Sequence, residues 1–331
     1  MTKIRWGILS TGHIAGQFAA SLAHIPGAEL VAVGSRHAES AQAFGEKYQI
    51  PHRHASYEAL AQDKDVDVIY VATPHNLHYA NARLCLEAGK GALVEKAFTL
   101  NAGQAASLIA LAREKRLFLM EAMWDRFLPH MVKVRELVSQ GILGDLRLVT
   151  ANLGFRAEDN PQSRLLSPSL AGGALLDVGC YVVSFASMLL GQPDRVAGVS
   201  RLGRTGVDED TSILLGYPQG RSAALTCAVR TNSPQDGYVI GVDGWVHLHP
   251  PFGWSGRLTL HRAGQPDQDI NAPIQGSGYA YEAREVSRCL DLGLLESPVM
   301  PLDESLGVMR TLDALRQQAG LHYPEEVENE N

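Results

Sequence analysis

A glycine-containing loop near the start of the chain has the composition and position of a nucleotide-binding loop. It follows the apolar run Ile4–Leu9, which predicts a strand, and it precedes apolar residues at helical spacing. Without a side chain, Gly12 lets the backbone approach a pyrophosphate, and the helix that follows offers free N–H groups to that anion. The fingerprint is incomplete because Ser10 replaces its first glycine, so an ordinary strand–helix turn is the alternative. The predicted nucleotide contacts are Ser10, Thr11, Gly12, His13 and Ile14.

The end of the next predicted strand, Glu29–Gly34, indicates which nucleotide is bound. Enzymes that use NAD place Asp or Glu there to bind the ribose 2′-hydroxyl, whereas this chain has Ser35 and Arg36. A guanidinium forms a forked, charge-assisted pair with a 2′-phosphate, and a serine hydroxyl adds a donor. These two residues therefore predict NADP as the cofactor. A solvated surface arginine is the alternative.

Farther along the chain, a lysine, a tyrosine and an aspartate have the chemistry that hydride transfer from an alcohol requires. The reaction needs a base for the hydroxyl proton and a group that stabilises the developing alkoxide. Tyr181 can supply the base if a nearby ammonium lowers its pKa from about 10, and Lys96 follows a strand end where open α/β sheets bind ligands. Asp177 lies one helical turn before Tyr181, where it could hold a substrate hydroxyl or hydrogen-bond Lys96 or Tyr181. The alternatives are a half-buried helix tyrosine and a surface lysine.

The elements that must position these residues fall into two predicted domains within an α/β fold. Residues 1–122 alternate short apolar runs with amphipathic runs, which predicts a Rossmann domain with a parallel doubly wound sheet. Residues 123–331 carry helices and closely spaced strands, which predicts an α+β domain with a large, mainly antiparallel sheet. This domain would bind substrate and form a dimer. The later predicted strands of the first domain are Asp67–Ala72, Ala92–Val94 and Leu117–Met120, and Gly172–Leu190 is a long predicted helix in the second.

Composition restricts the partners of the chain. Of its 331 residues, 45% are hydrophobic and 20% are charged, the balance of a soluble globular protein. The net charge of −7 argues against nucleic acid or an anionic membrane as a partner. Four widely spaced cysteines predict no metal and no disulfide, and hence a cytoplasmic protein. We expect a homodimer or higher homo-oligomer that acts on a small molecule, with a frayed acidic tail over Pro324–Asn331.

Several motifs resemble one enzyme family over essentially the whole chain. The segments Thr73–His78, Glu95–Lys96 and Gly172–Tyr181 are similar to the hallmarks of the glucose–fructose oxidoreductase and inositol dehydrogenase family. Pro301–Ser305 resembles the lead into the last helix of that family. Glu121–Phe127, together with the tyrosine at 181, resembles the branch that contains the dimeric dihydrodiol dehydrogenases and the NADP-dependent D-xylose dehydrogenases.

The resemblance implies an NADP-dependent oxidoreductase that acts on a secondary alcohol or hemiacetal of a sugar, polyol or cyclic trans-diol. It implies that Lys96, Tyr181 and Asp177 are the catalytic residues. The further expected cofactor contacts are Thr73, Pro74, His75, Asn76, His78, Glu95 and Lys96. The expected substrate contacts are Trp124, Arg126, Phe155, Asp177, Tyr181, Trp254 and Tyr279. Core or dimer packing is the alternative for the aromatic residues, and a structural role for the two histidines.

One departure from the family pattern and two competing functions remain at this point. The Glu-Lys-Pro triplet of the family is here Glu95-Lys96-Ala97, and a cis bond before a residue other than proline costs about 3 kcal/mol. We therefore expect a trans bond after Lys96. The alternative functions are a reductase of a sugar-derived ketone and a non-catalytic NADP-binding regulator.

Overall fold

The computed structural model describes residues 3–324, which form two compact units. The chain passes from the first unit to the second after Trp124, returns to the first at Gln275, and leaves it again after Leu306. Apart from its first residue, the predicted acidic tail Pro324–Asn331 lies outside the described residues.

The first unit is built on a parallel sheet whose six strands follow the order β3-β2-β1-β4-β5-β6. Its central strand β4 is buried along its whole length, as expected for a parallel sheet that helices cover on both faces. The strands are β1 (Ile4–Leu9), β2 (Ala28–Gly34), β3 (His52–His54), β4 (Val68–Val71), β5 (Gly91–Glu95) and β6 (Leu119–Ala122). The helices between them are α1 (His13–Leu22), α2 (Ala38–Lys47), α3 (Tyr57–Ala61), α4 (His78–Glu87) and α5 (Ala102–Lys115).

The first unit also contains residues 275–306, which the sequence analysis placed with the second domain. Helix α8 (Tyr279–Asp291) packs against α1. Farther on, the Leu119 N–H of β6 donates to the carbonyl of Leu295 over 3.0 Å. These contacts join segments far apart in the chain, so no local pattern in the sequence marks them.

The second unit is built on an eight-stranded sheet with the order β14-β13-β12-β11-β7-β10-β9-β8. Neighbouring strands are antiparallel except for the parallel pair β7 and β10, which confirms the predicted combination of a parallel sheet and a mainly antiparallel one. The strands are β7 (Leu146–Gly154), β8 (Arg195–Leu202), β9 (Asp208–Gly216), β10 (Ser222–Ala228), β11 (Gly237–Gly241), β12 (Gly244–Leu248), β13 (Arg257–Arg262) and β14 (Gln268–Asn271). The helices are α6 (Pro129–Ser139), α7 (Cys180–Leu190) and most of α9 (Leu302–Ala319).

The long apolar helix of the second unit starts later than predicted. Its first turn, Leu175–Gly179, is π-helical, and α7 continues it to Leu190. Among the described residues, the segment Pro168–Leu190 is long and apolar enough to cross a membrane. The mean hydropathy of its most apolar window is 1.7. Because 89% of its most apolar window is buried inside the fold, it has the burial of a core helix. Cys85, Cys180, Cys227 and Cys289 are free thiols and all four are buried.

Candidate active site

The predicted nucleotide-binding residues follow the carboxyl ends of neighbouring strands in the first unit. In the order β3-β2-β1-β4-β5-β6, the chain crosses to the other side of the sheet between β1 and β4. Open α/β sheets bind dinucleotides outside their carboxyl ends at this reversal. The loops after β1, β2, β4 and β5 carry the predicted contacts, so this edge of the sheet is where the structure brings them together.

The loop after β1 has the form of an anion cradle. Ser10, at the first glycine position of the fingerprint, has φ 102°, a conformation that favours glycine. A Cβ on Gly12, the residue before α1, would meet only Ser10 Oγ, at 3.9 Å. Among the described residues no side chain caps the start of α1, and its first turn has no acidic residue, so its free N–H groups and the positive end of its dipole are available to an anion. These features fit a bound pyrophosphate.

The loop after β2 presents a cation without a competing carboxylate. Ser35 is buried, and its Oγ accepts the N–H of His37 over 3.3 Å. His37 is the residue that precedes α2. Arg36 is exposed, and no hydrogen bond or ion pair of its side chain is found within residues 3–324. The guanidinium is therefore available to an anionic ligand beside β2.

The loop after β4 is tied to the loop after β5 by a buried histidine. His78 Nδ1 lies 2.8 Å from the carbonyl oxygen of Ala97, and its Nε2 lies 2.8 Å from that of Thr73. Burial lowers the pKa of His78 to about 4, so the ring is neutral at pH 7 and donates to one of the two carbonyls. Asn81 also bonds to this loop, through the Thr73 hydroxyl over 3.2 Å. His78 is fully buried and ties these two loops together, and its expected contact with the cofactor stays a prediction.

The peptide bond between Lys96 and Ala97 is cis, so the expected trans bond is wrong. The expectation weighed only the isolated bond, whereas the fold fixes the residues around it. Ala97 is buried with its carbonyl against His78, and the Phe98 N–H donates to Glu121 Oε1 over 3.1 Å. The Lys96 side chain is half-buried at the end of β5.

Glu95 belongs to a buried acidic cluster with two tyrosines. The Tyr70 hydroxyl donates to Glu95 Oε1, and the Lys96 N–H donates to Glu95 Oε2 over 3.2 Å. Burial, followed by the negative charges of Glu95 and Glu282, raises the pKa of both Tyr70 and Tyr279, so both remain phenols. Tyr70 and Glu282 were not predictable as site residues, because each lies within the pattern of a strand or a helix.

Two of the predicted substrate-binding aromatic residues lie together in the first unit. The rings of Trp124 and Tyr279 have their centroids 5.0 Å apart and are tilted by 44°. Trp124 follows β6 and Tyr279 begins α8, so the pairing depends on the return of the chain to the first unit at Gln275. In the second unit, Phe155 follows β7 and Trp254 lies in a turn where its N–H donates to Pro251 O.

Asp177 and Tyr181 lie on the π-helical turn and on the first turn of α7. Both are buried, and π-helical turns are frequent at functional sites. Asp177 Oδ1 accepts a hydrogen bond from Arg164 Nη1 over 2.7 Å, and the Arg164 side chain is 60% exposed. Arg164 was not predictable as a site residue, because it lies in a loop with no periodic pattern.

A buried aspartate holds the start of this helix. Asp208 Oδ2 accepts the Leu175 N–H over 2.8 Å and the Thr211 hydroxyl over 3.2 Å. Gly173, with φ 123°, allows this approach, since a Cβ there would lie 2.2 Å from Asp208 Oδ1. Burial raises the pKa of Asp208 to about 6, so the carboxylate is mainly ionised at pH 7 and favours the positive end of the helix dipole. Asp208 and Gly173 therefore set the position of Asp177 and Tyr181.

Arg126, an expected substrate contact, lies buried against α7, and its contact with substrate stays a prediction. Its side chain is buried, with Nε 2.8 Å from Ser184 Oγ and Nη2 2.7 Å from the Ser184 carbonyl oxygen. The Arg126 carbonyl accepts a hydrogen bond from Arg135. Its donors therefore connect the segment after β6 to α7.

Comparison with known proteins agrees with this geometry. The model of the oxidoreductase family with an NAD-binding Rossmann fold matches residues 4–123, and the GFO/IDH/MocA C-terminal domain matches residues 131–247. Trans-1,2-dihydrobenzene-1,2-diol dehydrogenase of Mus musculus is 39% identical over 98% of this chain and 99% of its own length. The enzyme of the same name from Homo sapiens is 38% identical over the same shares.

Two solved structures of enzymes have the same fold. The aldose-aldose oxidoreductase of Caulobacter crescentus, complexed with glycerol, matches with a TM-score of 0.88 and 27% identity over 96% of this chain and 98% of that one. A 3-ketoreductase of Actinomadura kijaniata, in complex with NADP and TDP-benzene, matches with a TM-score of 0.85 and 26% identity over the same shares. The chain therefore belongs to the GFO/IDH/MocA family of oxidoreductases.

Proposed function

We propose that this enzyme uses NADP to transfer a hydride to or from a secondary alcohol or hemiacetal of a sugar, polyol or cyclic trans-diol. The observation that carries the proposal is the presence, in one chain, of an open anion cradle at Gly12 and the reactive set Lys96, Asp177 and Tyr181. A regulator that only sensed a nucleotide would need the cradle but not the reactive set. The full-length similarity to dihydrodiol dehydrogenases supports a diol or sugar as the substrate class.

The cofactor preference rests on the loop after β2. With no acidic residue to bind a ribose 2′-hydroxyl, Arg36 would pair with the 2′-phosphate of NADP, while the N–H groups at the start of α1 hold the pyrophosphate. Thr73, Pro74, His75 and Asn76, in the loop after β4, would contact the nicotinamide half. Glu95 would support the cofactor site indirectly, through the hydrogen bond that it accepts from Tyr70.

In the proposed mechanism the Tyr181 hydroxyl takes the proton of the substrate alcohol, and returns it in the reverse direction. The Lys96 ammonium favours the tyrosinate and stabilises the developing alkoxide. Asp177, held by Arg164, orients the substrate hydroxyl. The bound nicotinamide supplies the hydride acceptor or donor. Trp124 and Tyr279 offer ring faces for the C–H surface of a sugar or for a cyclic diol.

The direction of reaction has two candidates. Similarity to dihydrodiol dehydrogenases supports alcohol oxidation, and similarity to a 3-ketoreductase supports reduction of a sugar ketone. One active site catalyses both directions, so the assay has to run in both. A homodimer and a cytoplasmic location stay predictions from the sequence.

The test is a panel of pentoses, hexoses and cyclic trans-diols with NADP⁺ or NAD⁺, and of the matching ketones with NADPH, followed by nicotinamide absorbance. We expect turnover with at least one diol or sugar and a preference for NADP⁺. If the protein binds NADPH but turns over no member of the panel in either direction, the proposal is wrong and a regulator becomes the better interpretation.

A further inference from the structure

A cluster of two histidines and an aspartate at the edge of the first unit has no role in the proposed reaction. His52 and His54 are two residues apart on β3, the outermost strand of the parallel sheet, so their side chains point to the same face. Asp63 follows α3 and lies against both rings. We call these three residues the edge cluster.

The three side chains of the edge cluster converge on one point. His52 Nδ1 lies 2.7 Å from Asp63 Oδ2, and His54 Nε2 lies 2.8 Å from the same oxygen. All three ligand atoms lie within 4.8 Å of one another. A tetrahedral zinc ion with bonds of about 2.0–2.1 Å holds its ligand atoms about 3.3 Å apart. To reach that spacing, each ring nitrogen would move about half an ångström away from Asp63 Oδ2.

The aspartate is fixed before any ion binds. Its Oδ1 accepts the Asp65 N–H over 2.9 Å, and its main-chain carbonyl accepts a hydrogen bond from Lys90 over 2.6 Å. The Asp63 side chain is 7% exposed, whereas those of His52 and His54 are 38% and 24% exposed. The cluster therefore has one rigid, buried ligand and two rings that solvent can reach.

We propose that His52, His54 and Asp63 bind a divalent transition-metal ion such as Zn²⁺, with water in the remaining position. Imidazole nitrogens select zinc, copper, iron or nickel over magnesium and calcium, which prefer oxygen ligands. Each histidine binds the ion as a neutral ring. The coordinating nitrogen, which faces Asp63, carries no proton, and the proton of the ring lies on the other nitrogen. The ion would connect β3 to the loop after α3. The ion would also lie near the loop after β2, because the His54 carbonyl accepts the N–H of Ser35 over 3.1 Å.

The test uses the full chain after chelator treatment and dialysis. Zn²⁺ is titrated by calorimetry, and Co²⁺ is titrated by its visible absorption, which is strong in a tetrahedral site. We expect one equivalent per chain, and we expect His52→Ala and His54→Ala each to weaken binding by more than the roughly 10–100-fold that loss of an outer-shell partner costs. His261→Ala is the matched control, because His261 also bonds an aspartate, Asp267, but has no third ligand among the described residues.

A second measurement needs no variant and so does not depend on how the variants fold. Zn²⁺ should protect His52 and His54, but not His261, from modification by diethylpyrocarbonate, as read by mass spectrometry. Failure to bind one equivalent overturns the proposal. So does binding that survives both substitutions, or modification of His52 and His54 that Zn²⁺ does not slow; the cluster is then only a hydrogen-bonded network.

Discussion

Replacing Gly173 by alanine tests how the fold positions the helix that carries Asp177 and Tyr181. Gly173 has φ 123°, and a residue with a side chain in such a conformation costs about 1–3 kcal/mol. The new Cβ would lie 2.2 Å from Asp208 Oδ1 and would displace that carboxylate from the Leu175 N–H. Loss of a hydrogen bond to a charged group costs about 1.5–3 kcal/mol. Gly173→Ala should therefore destabilise the protein by about 2.5–6 kcal/mol.

Gly191→Ala is the matched control for this substitution. Gly191 lies at the other end of α7 with φ 82°, and no atom of another part of the chain lies within 4 Å of its Cβ position. It should lose only the backbone share, about 1–3 kcal/mol. Urea unfolding followed by circular dichroism and tryptophan fluorescence measures both losses, and steady-state turnover measures the effect on the site.

The two variants should separate in both measurements. Gly173→Ala should unfold at a lower urea concentration than Gly191→Ala, and its turnover should fall because the helix start shifts. Gly191→Ala should keep near-normal turnover under conditions in which the variant is folded. Equal losses of stability, or full turnover in Gly173→Ala, would show that Asp208 does not hold the helix through this close approach.

Three further predictions address the cofactor, the pH dependence and the aspartate of the site. Arg36→Ala should weaken NADP binding roughly tenfold or more and leave NAD binding nearly unchanged, measured by fluorescence titration; equal losses would contradict the assignment. Burial raises the pKa of Asp208 from 3.8 to about 6, so the folded state holds an extra proton between those values. The stability of the wild type relative to Asp208→Asn should therefore fall as pH rises from about 4 to about 6 and then level off, and a rise over that range would contradict the argument. Arg164→Ala should change stability by less than about 1 kcal/mol, because the arginine is largely exposed, yet lower turnover by releasing Asp177; unchanged turnover would remove Arg164 from the site.

Elements with a clear local pattern were predictable from the sequence. The strand Val68–Val71 is wholly apolar, and Ile4–Leu9 is apolar except for Arg5. The helix after Asn101 begins at a residue type that favours capping, and Asn101 Oδ1 accepts the Gln104 N–H. The strands β3 and β14 were missed. They are short and polar, so neither alternation nor an apolar run marks them.

Site features that depend on distant contacts were not predictable. The bond from Arg164 to Asp177, the position of Tyr279 beside Trp124 and the burial of Arg126 against Ser184 are all made by residues that only the fold brings together. The backbone conformation of Ser10 was not predictable either. A serine departs from the fingerprint by its type, yet its φ of 102° is one that favours glycine. Residue type and spacing predicted which loops carry the site, and the packing decided which side chains face it.

The most direct test of the proposed mechanism is single-turnover hydride transfer in Tyr181→Phe, Lys96→Met and the double variant, with NADPH affinity measured in parallel. Tyr181→Phe removes only the hydroxyl, and a general acid–base group contributes about 10²–10⁴-fold, so the rate should fall by that factor while NADPH binding persists. Lys96→Met should cost a similar factor, and the double variant should be barely slower than either single one, because residues that act as one unit are not additive. Near-normal hydride transfer in Tyr181→Phe would contradict the mechanism and make Asp177 the leading candidate for the proton transfer.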